Sequence, residues 1–417
     1  MVIVGIQKVS TFKTEHSRWE KKMRIMQVGA AFVGAQKIIV GEIHRWLIKN
    51  GHESKVLFAV GEPDDDNTVC YETPIESLLR RTMCKVFGIR PCFAFLQTRR
   101  IVWHIKKWKP DVVHLHVLHH GYVDYIFLFN YLAREQIPVV FTLHDMWAAT
   151  GGCYHYSAQR CEKFQDGCRA CEADPATLDC RPKQTEKLFS VKKALFEKLD
   201  KLCFVAVSPW VEAEARRTML ARYPICTVWN ALASPLNVDL PQEATGKFRI
   251  LGVAACWDKR KGIDRFFELA QLLGDRFEIK LVGDVEETVK AKAPRNILFP
   301  GRVNDPAQLF ALYAQADLHV SMSFEETFGM TFVEAALAGT KSMGFNKTAI
   351  PYVIEKVYGY VLKSDQVAEM AEAIFALSQH RENCKLNSEQ MAAVRDYFSS
   401  DKMAWSYHAL YEKVMVK

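Results

Sequence analysis

With 417 residues, 49% of them hydrophobic and 25% charged, the chain has the composition of a folded protein of two domains, which excludes a disordered polymer and a single small module. No apolar run approaches the roughly 18 residues a membrane helix requires, so no spanning helix is predicted. The net charge of +7, from 55 Lys and Arg against 48 Asp and Glu, comes with no nucleic-acid recognition motif, and no nucleic-acid partner is expected.

Residues 1–22 hold apolar MVIVGI and then a polar, charged tract, without the basic-then-apolar order of a secretory signal. They read as an N-terminal extension of a cytoplasmic protein, because Met23 directly precedes a strand-like run, MRIMQV. A glycine loop with Gly29 and Gly34 follows. Ala35, Ile38, Ile39, Ile43, Trp46 and Leu47 then fall at helical spacing, with Gly51 as the stop. KVLFAV from Lys55 is the next strand, and Asp64 to Asp66 read as a polar turn. From Arg80 to Lys109 nine basic residues and no acidic one are interleaved with Phe93, Phe95, Ile101, Trp103 and Trp108. Such a stretch suits an anionic membrane surface, where each basic residue near the lipid contributes about 1 kcal/mol. Peripheral attachment to the cytoplasmic face of an inner membrane is expected.

DVVHLH from Asp111, PVVFTL from Pro138 and FVAV from Phe204 are nearly all apolar, as in strands buried on both faces. His144 and Asp145 directly follow the second of these. Five of the twelve cysteines come next. Cys153, Cys161, Cys168 and Cys171 could supply four thiolates to a structural zinc ion, the last two as a CxxC. Without an export signal the cysteines are expected to be reduced. Residues 232–247 carry two prolines, a glycine and no helical period, and read as a linker. RILGVA from Arg249, IKLVG from Ile279, DLHVS from Asp317 and YGYVL from Tyr358 repeat the alternation of strand and amphipathic helix. A last helix over 399–417, capped by Ser400 or Asp401, carries Met403, Trp405, Tyr407, Leu410, Tyr411 and Val414 and is expected to cross back to the first domain. The fold class is therefore α/β: two Rossmann-like doubly wound domains, over 23–231 and 248–398, facing each other across a ligand-binding cleft.

Two strings at carboxyl ends of strands carry chemistry. In SMSFEETFGMTFVEAALAG, Glu326 and Glu334 are separated by seven residues. Phe328, Gly329 and Met330 open a helix whose first-turn amides make an anion site. Two carboxylates so spaced can accept hydrogen bonds from two sugars flanking one diphosphate, that is, from a sugar nucleotide. In VAACWDKRKGIDRFFELAQLL, Arg260 and Lys261 stand directly before Gly262. Together they can hold that diphosphate and stabilise the charge that grows on it as a glycosidic bond breaks.

These strings resemble the family 4 retaining glycosyltransferases of the GT-B fold, most of all the bacterial exopolysaccharide and colanic-acid type. The E-x7-E signature is matched by Glu326 and Glu334, and the upstream basic loop by Lys261 and Gly262. The resemblance implies that Glu326 touches the donor hexose and Glu334 the ribose, with the amides of Phe328, Gly329 and Met330 on the phosphates. Gly29 and Gly34 would lie near donor and acceptor, and His144, beside acceptor-side Asp145, near the reacting sugar. It also implies a UDP- or GDP-sugar donor, a polysaccharide or lipid-linked oligosaccharide acceptor, and no cofactor required for catalysis. Three departures stand out: Cys256 where the family has Arg, Lys347 and Thr348 where it has glycines, and GAQK at the start of the first helix. A non-catalytic sugar-nucleotide-binding subunit and a nucleotide-sugar epimerase are the competing readings.

Overall fold

The computed structural model describes residues 22–87, 94–232 and 246–416; residues 1–21, Arg90, Phe93 and the linker segment 233–245 lie outside them. Buried apolar runs make the strands and stripes of apolar residues make the helices that cover them. In the first lobe the strands are β1 (Arg24–Val28), β2 (Ala31–Phe32), β3 (Glu53–Phe58), β4 (Val60–Gly61), β5 (Thr68–Cys70), β6 (Val112–Leu115), β7 (Val139–Leu143), β8 (Leu202–Ala206) and β9 (Ile225–Thr227). Seven of them pair in the order β5-β3-β1-β6-β7-β8-β9, all parallel, while β2 and β4 form a small separate ladder. The helices of this lobe are α1 (Gly34–Lys49), α2 (Pro74–Phe87), α3 (Phe95–Trp108), α4 (Tyr125–Arg134), α5 (Thr185–Phe196) and α6 (Pro209–Arg216).

The second lobe contains β10 (Phe248–Cys256), β11 (Phe277–Asp284), β12 (Ile297–Gly301), β13 (Leu318–Ser321), β14 (Ser342–Phe345) and β15 (Tyr360–Leu362), ordered β12-β11-β10-β13-β14-β15 and again parallel. Its helices are α7 (Ile263–Leu273), α8 (Glu287–Lys290), α9 (Pro306–Gln315), α10 (Met330–Leu337), α11 (Ile350–Lys356), α12 (Val367–Ser378) and α13 (Ser388–Tyr397). The strand order reverses direction between β10 and β13. A crevice opens at such a switch point, so the loops after those two strands are brought side by side.

The last helix, α14 (Ser400–Val416), packs along α1 and the back of the first sheet. Two polar residues inside buried strands explain why it stays there. His114 Nδ1 lies 2.8 Å from the Tyr411 hydroxyl, and Thr142 Oγ1 lies 3.0 Å from the Tyr407 hydroxyl, both pairs fully buried. Around them Ile25, Ile43, Leu47, Val112, Val140, Met403 and Val414 form one apolar cluster.

Candidate active site

The loop after β10 is braced by an aspartate. Asp258 Oδ2 accepts from Arg260 Nε and Nη2 at 3.0 and 2.8 Å, and its Oδ1 accepts from the Lys261 backbone N–H at 3.0 Å. Gly262 has φ +81°, and a Cβ there would lie 2.6 Å from the Met322 carbonyl oxygen, so only glycine lets this loop lie against the one after β13. A backbone hydrogen bond from Phe324 N–H to Arg260 O, 2.9 Å, joins them. The result is an ion pair of 2.6 Å between Lys261 Nζ and Glu326 Oε1. Burial alone would raise the Glu326 carboxyl; the Lys261 ammonium and the Ser323 hydroxyl outweigh it and hold the group below the usual carboxylate range.

Gly329, at φ +88°, begins α10 with no side-chain cap, and a Cβ there would overlap the Phe332 ring. Phe332 N–H donates to Gly329 O at 3.1 Å, and no side chain caps the amides that precede it beside Glu326. About one turn into α10, Glu334 Oε2 accepts a 2.7 Å hydrogen bond from the buried Tyr313 hydroxyl, while burial pushes the Glu334 carboxyl up.

In the first lobe buried side chains within β1 and directly after β6 and β7 form a relay. Gln27 donates its amide to Val40 O at 3.2 Å, which turns Gln27 Oε1 towards His116 Nε2 at 3.3 Å. His116 must then donate from Nε2 and accept at Nδ1 from His144 Nε2, 3.0 Å away. Assigned in this way from the hydrogen-bond network, His144 keeps its Nδ1 lone pair to accept a bond. Burial lowers His144 to about 4, so it is neutral at pH 7. Asp145, next in the chain, accepts from His119 Nε2 at 2.6 Å and from Trp147 N–H at 2.8 Å.

The lobes touch through the same loop that carries Glu326. Thr327 Oγ1 donates to His144 O at 2.8 Å. Glu325 accepts from the backbone N–H of Ser157 at 2.9 Å and from its hydroxyl, and lies 3.3 Å from His155 Nδ1. Phe328 packs edge-on against Trp229. The His144 loop and the Glu326–Lys261 pair therefore border one cleft.

The chain matches the family described as Glycosyltransferase Family 4 over residues 36–232, and that described as Glycosyl transferases group 1 over residues 247–380, one in each lobe. It belongs to the family 4 glycosyltransferases. A putative colanic acid biosynthesis glycosyl transferase, WcaC, of Escherichia coli K12 is 24% identical over 291 residues, covering 64% of this chain and 69% of that protein. Among solved structures, a sucrose-phosphate synthase of Thermosynechococcus elongatus superposes with a TM-score of 0.69 at 16% identity, covering 95% of this chain and all of the other. Anabaena HepE in complex with UDP and glucose gives 0.62 at 15% identity, covering 94% of this chain and all of the other. These neighbours are GT-B glycosyltransferases, and the fold here is GT-B.

The sequence expectations divide. Glu326, Arg260, Lys261, Gly262, Phe328, Gly329 and Met330 lie on the two adjoining loops and at the head of α10; His144 and Asp145 come to the facing edge. Gly34 opens α1 at φ +54° with open space where a Cβ would stand. Gly29 is different: its N–H donates to Leu57 O and a Cβ there would make only ordinary contact, so nothing steric demands glycine. Thr348 takes φ +52° in place of a family glycine, and its Oγ1 accepts the Glu326 N–H at 3.1 Å. Lys347 pairs with Asp365 and Cys256 is exposed.

Asp258, Glu325, Ser157, His155, Tyr313 and the His116–Gln27 relay were not anticipated. Only Asp258 left a signal, as the acid two residues before Arg260.

Two expectations need correction. The sulfurs of Cys153, Cys161, Cys168 and Cys171 line one apolar cavity with Phe164 and Tyr156, but no three of them approach as a ligand set does. Cys168 Sγ instead accepts the Gly151 N–H at 3.1 Å, and burial pushes Cys153 up to about 12, a protonated thiol. The second is Arg80, which is buried in a two-pronged pair with Glu72, 2.6 Å at the shorter contact, and cannot face a lipid. Arg100 pairs with Glu76. Both acids lie just upstream of the basic stretch.

Proposed function

We propose that this glycosyltransferase moves a hexose, with retention of anomeric configuration, from a UDP- or GDP-sugar to a growing cell-surface polysaccharide or lipid-linked oligosaccharide. The observation that carries the reading is the Lys261–Glu326 pair beside the uncapped start of α10, with the His144 loop hydrogen-bonded across from it. WcaC's description and the UDP and glucose held by HepE support the substrate class.

An incoming diphosphate takes Lys261 and Arg260 and the amides of Phe328, Gly329 and Met330, with Gly262 permitting the close approach. This frees Glu326 to accept from hexose hydroxyls, while Glu334 accepts from the ribose. The leaving phosphate oxygen takes the acceptor's proton, so positioning and charge stabilisation are the enzyme's task. His144, with its tautomer fixed, accepts a hydroxyl hydrogen bond. Asp145 holds the acceptor-side loop, and Gly34 leaves room above α1. The work divides between an acceptor lobe over 23–231 and a donor lobe over 248–398, with 399–417 returning to the former.

Attachment to an anionic membrane rests on the outer faces of α2 and α3, where Ile75, Leu78, Leu79, Leu96 and Trp103 are well exposed beside Arg81, Arg99 and Lys106. Among the described residues no helix is long and apolar enough to cross a membrane. A structural zinc on the four cysteines would have to draw their sulfurs together.

Incubating purified protein with a panel of UDP- and GDP-sugars and acceptors, with the product anomer read by NMR, tests this reading. Acceptor-dependent release of nucleoside diphosphate with the anomer kept is expected. An inverted anomer overturns retention, an altered free sugar points to an epimerase, and no turnover points to a binding subunit.

A further inference from the structure

Outside the donor site, the described residues contain one group of metal-ligating side chains whose ligand atoms all lie within 4.8 Å of one another: His119, His120 and Asp179. We propose that these three bind a divalent transition-metal ion, zinc by the chemistry of the set, which fastens the cysteine-bearing segment to the end of the first sheet. Two imidazoles and a carboxylate suit zinc and leave a fourth position for water.

The argument starts from His119. Its ring is almost fully buried, stacked 5.3 Å from Tyr154 at an interplanar angle of 7°. Its Nε2 lies 2.6 Å from Asp145 Oδ2, and its Nδ1 is buried with no hydrogen-bond partner. A protonated ring would leave an N–H there without an acceptor, at the full desolvation cost of the group. A neutral ring that donates from Nε2 to Asp145 offers Nδ1 as a lone pair, the arrangement in which a carboxylate orients a metal-bound histidine. Asp145 and Asp179 both lie near the buried Lys192 ammonium, which stands 4.0 Å over the Trp147 ring and donates to Trp147 O.

The other two ligands are prepositioned. Asp179 Oδ1 accepts the His120 N–H at 2.7 Å, and His120 is held at φ +63°, a conformation non-glycine residues seldom adopt. Asp179 adjoins an isolated antiparallel bridge between Cys153 and Leu178, beside which its own N–H donates to Gly152 O at 2.8 Å and Tyr154 N–H donates to Thr177 O at 3.1 Å. The chain leaving that bridge carries His155 and Ser157, the residues that hold Glu325. An ion here would therefore stiffen the segment that reaches across to the donor loop, without touching donor or acceptor.

The test uses the untagged full chain purified without chelator. Metal analysis is expected to find about one equivalent of zinc, and adding zinc chloride to chelator-stripped protein should raise Tm by about 5 °C or more. His119→Gln should abolish both effects. His120→Asn, which keeps a residue tolerant of positive φ, should do the same while leaving the far-ultraviolet circular dichroism unchanged. The double variant C168S/C171S should keep the metal. No zinc taken up by the stripped protein, zinc retained by both histidine variants, or zinc lost from C168S/C171S alone would overturn the assignment.

Discussion

Lys261 and Glu326 occupy each other in the free enzyme, so removing either one should have a different consequence. Glu326→Gln releases the ammonium for phosphate: affinity for free UDP or GDP is expected to hold or tighten, while kcat falls by about 100-fold or more. Lys261→Met should weaken nucleotide binding by about tenfold or more. Calorimetry and initial rates separate the two, and equal losses of nucleotide affinity would contradict the scheme. Both residues were legible because an acid and a base at the ends of strands identify themselves by their chemistry. Their supports were not. Tyr313 lies 21 positions before Glu334, and Glu325 acts through Ser157, 168 positions away. Such partnerships are made by the tertiary fold. Thr348 lies between these cases: the missing glycine was evident in the chain, but its compensation, a hydroxyl that accepts the Glu326 N–H, was not.

Among the elements, the two loops of the donor lobe depend on Gly262. Gly262→Ala forces a Cβ towards the Met322 carbonyl and is expected to cost about 2 kcal/mol or more in denaturant unfolding and to lower donor affinity. Apolar runs made β1, β3, β6, β7, β8, β10, β11, β13 and β15 readable, although β15 is only partly buried; the strands missed were mostly short or at edges. β5 and β9 have three residues each, β12 carries Pro300 on a sheet edge, and β14 reads Ser-Met-Gly-Phe, whose buried Ser342 is hydrogen-bonded to His319. The basic stretch shows the opposite error. Its charge pattern suggested one exposed face, yet Arg80 turns inward. Replacing Leu78, Leu79 and Trp103 by Ser should reduce cosedimentation with anionic vesicles and leave the fold unaltered. Arg80→Gln should cost about 3 kcal/mol of stability, by stranding Glu72.

For the molecule as a whole, acid should be the weak side. Burial lowers His319 to about 3 and both His52 and His408 to about 4, below their usual 6.5. The unfolded chain therefore takes up protons below about pH 6.5 that the folded chain refuses, and stability falls from there until the pH passes the folded values near 4. Tm should decline by about 10 °C or more between pH 7 and pH 4.5. His408→Phe, which cannot titrate, should flatten the profile; an unchanged profile would contradict this account.

His408 also lies on α14, whose buried tyrosines anchor the tail of the chain to the first sheet. The two halves of this enzyme are thus not interchangeable cassettes. Grafting a foreign donor half at the linker alone would bring a tail whose hydroxyls do not meet His114 and Thr142. A working chimaera has a second crossover near residue 399, so that the recipient keeps its own terminal helix.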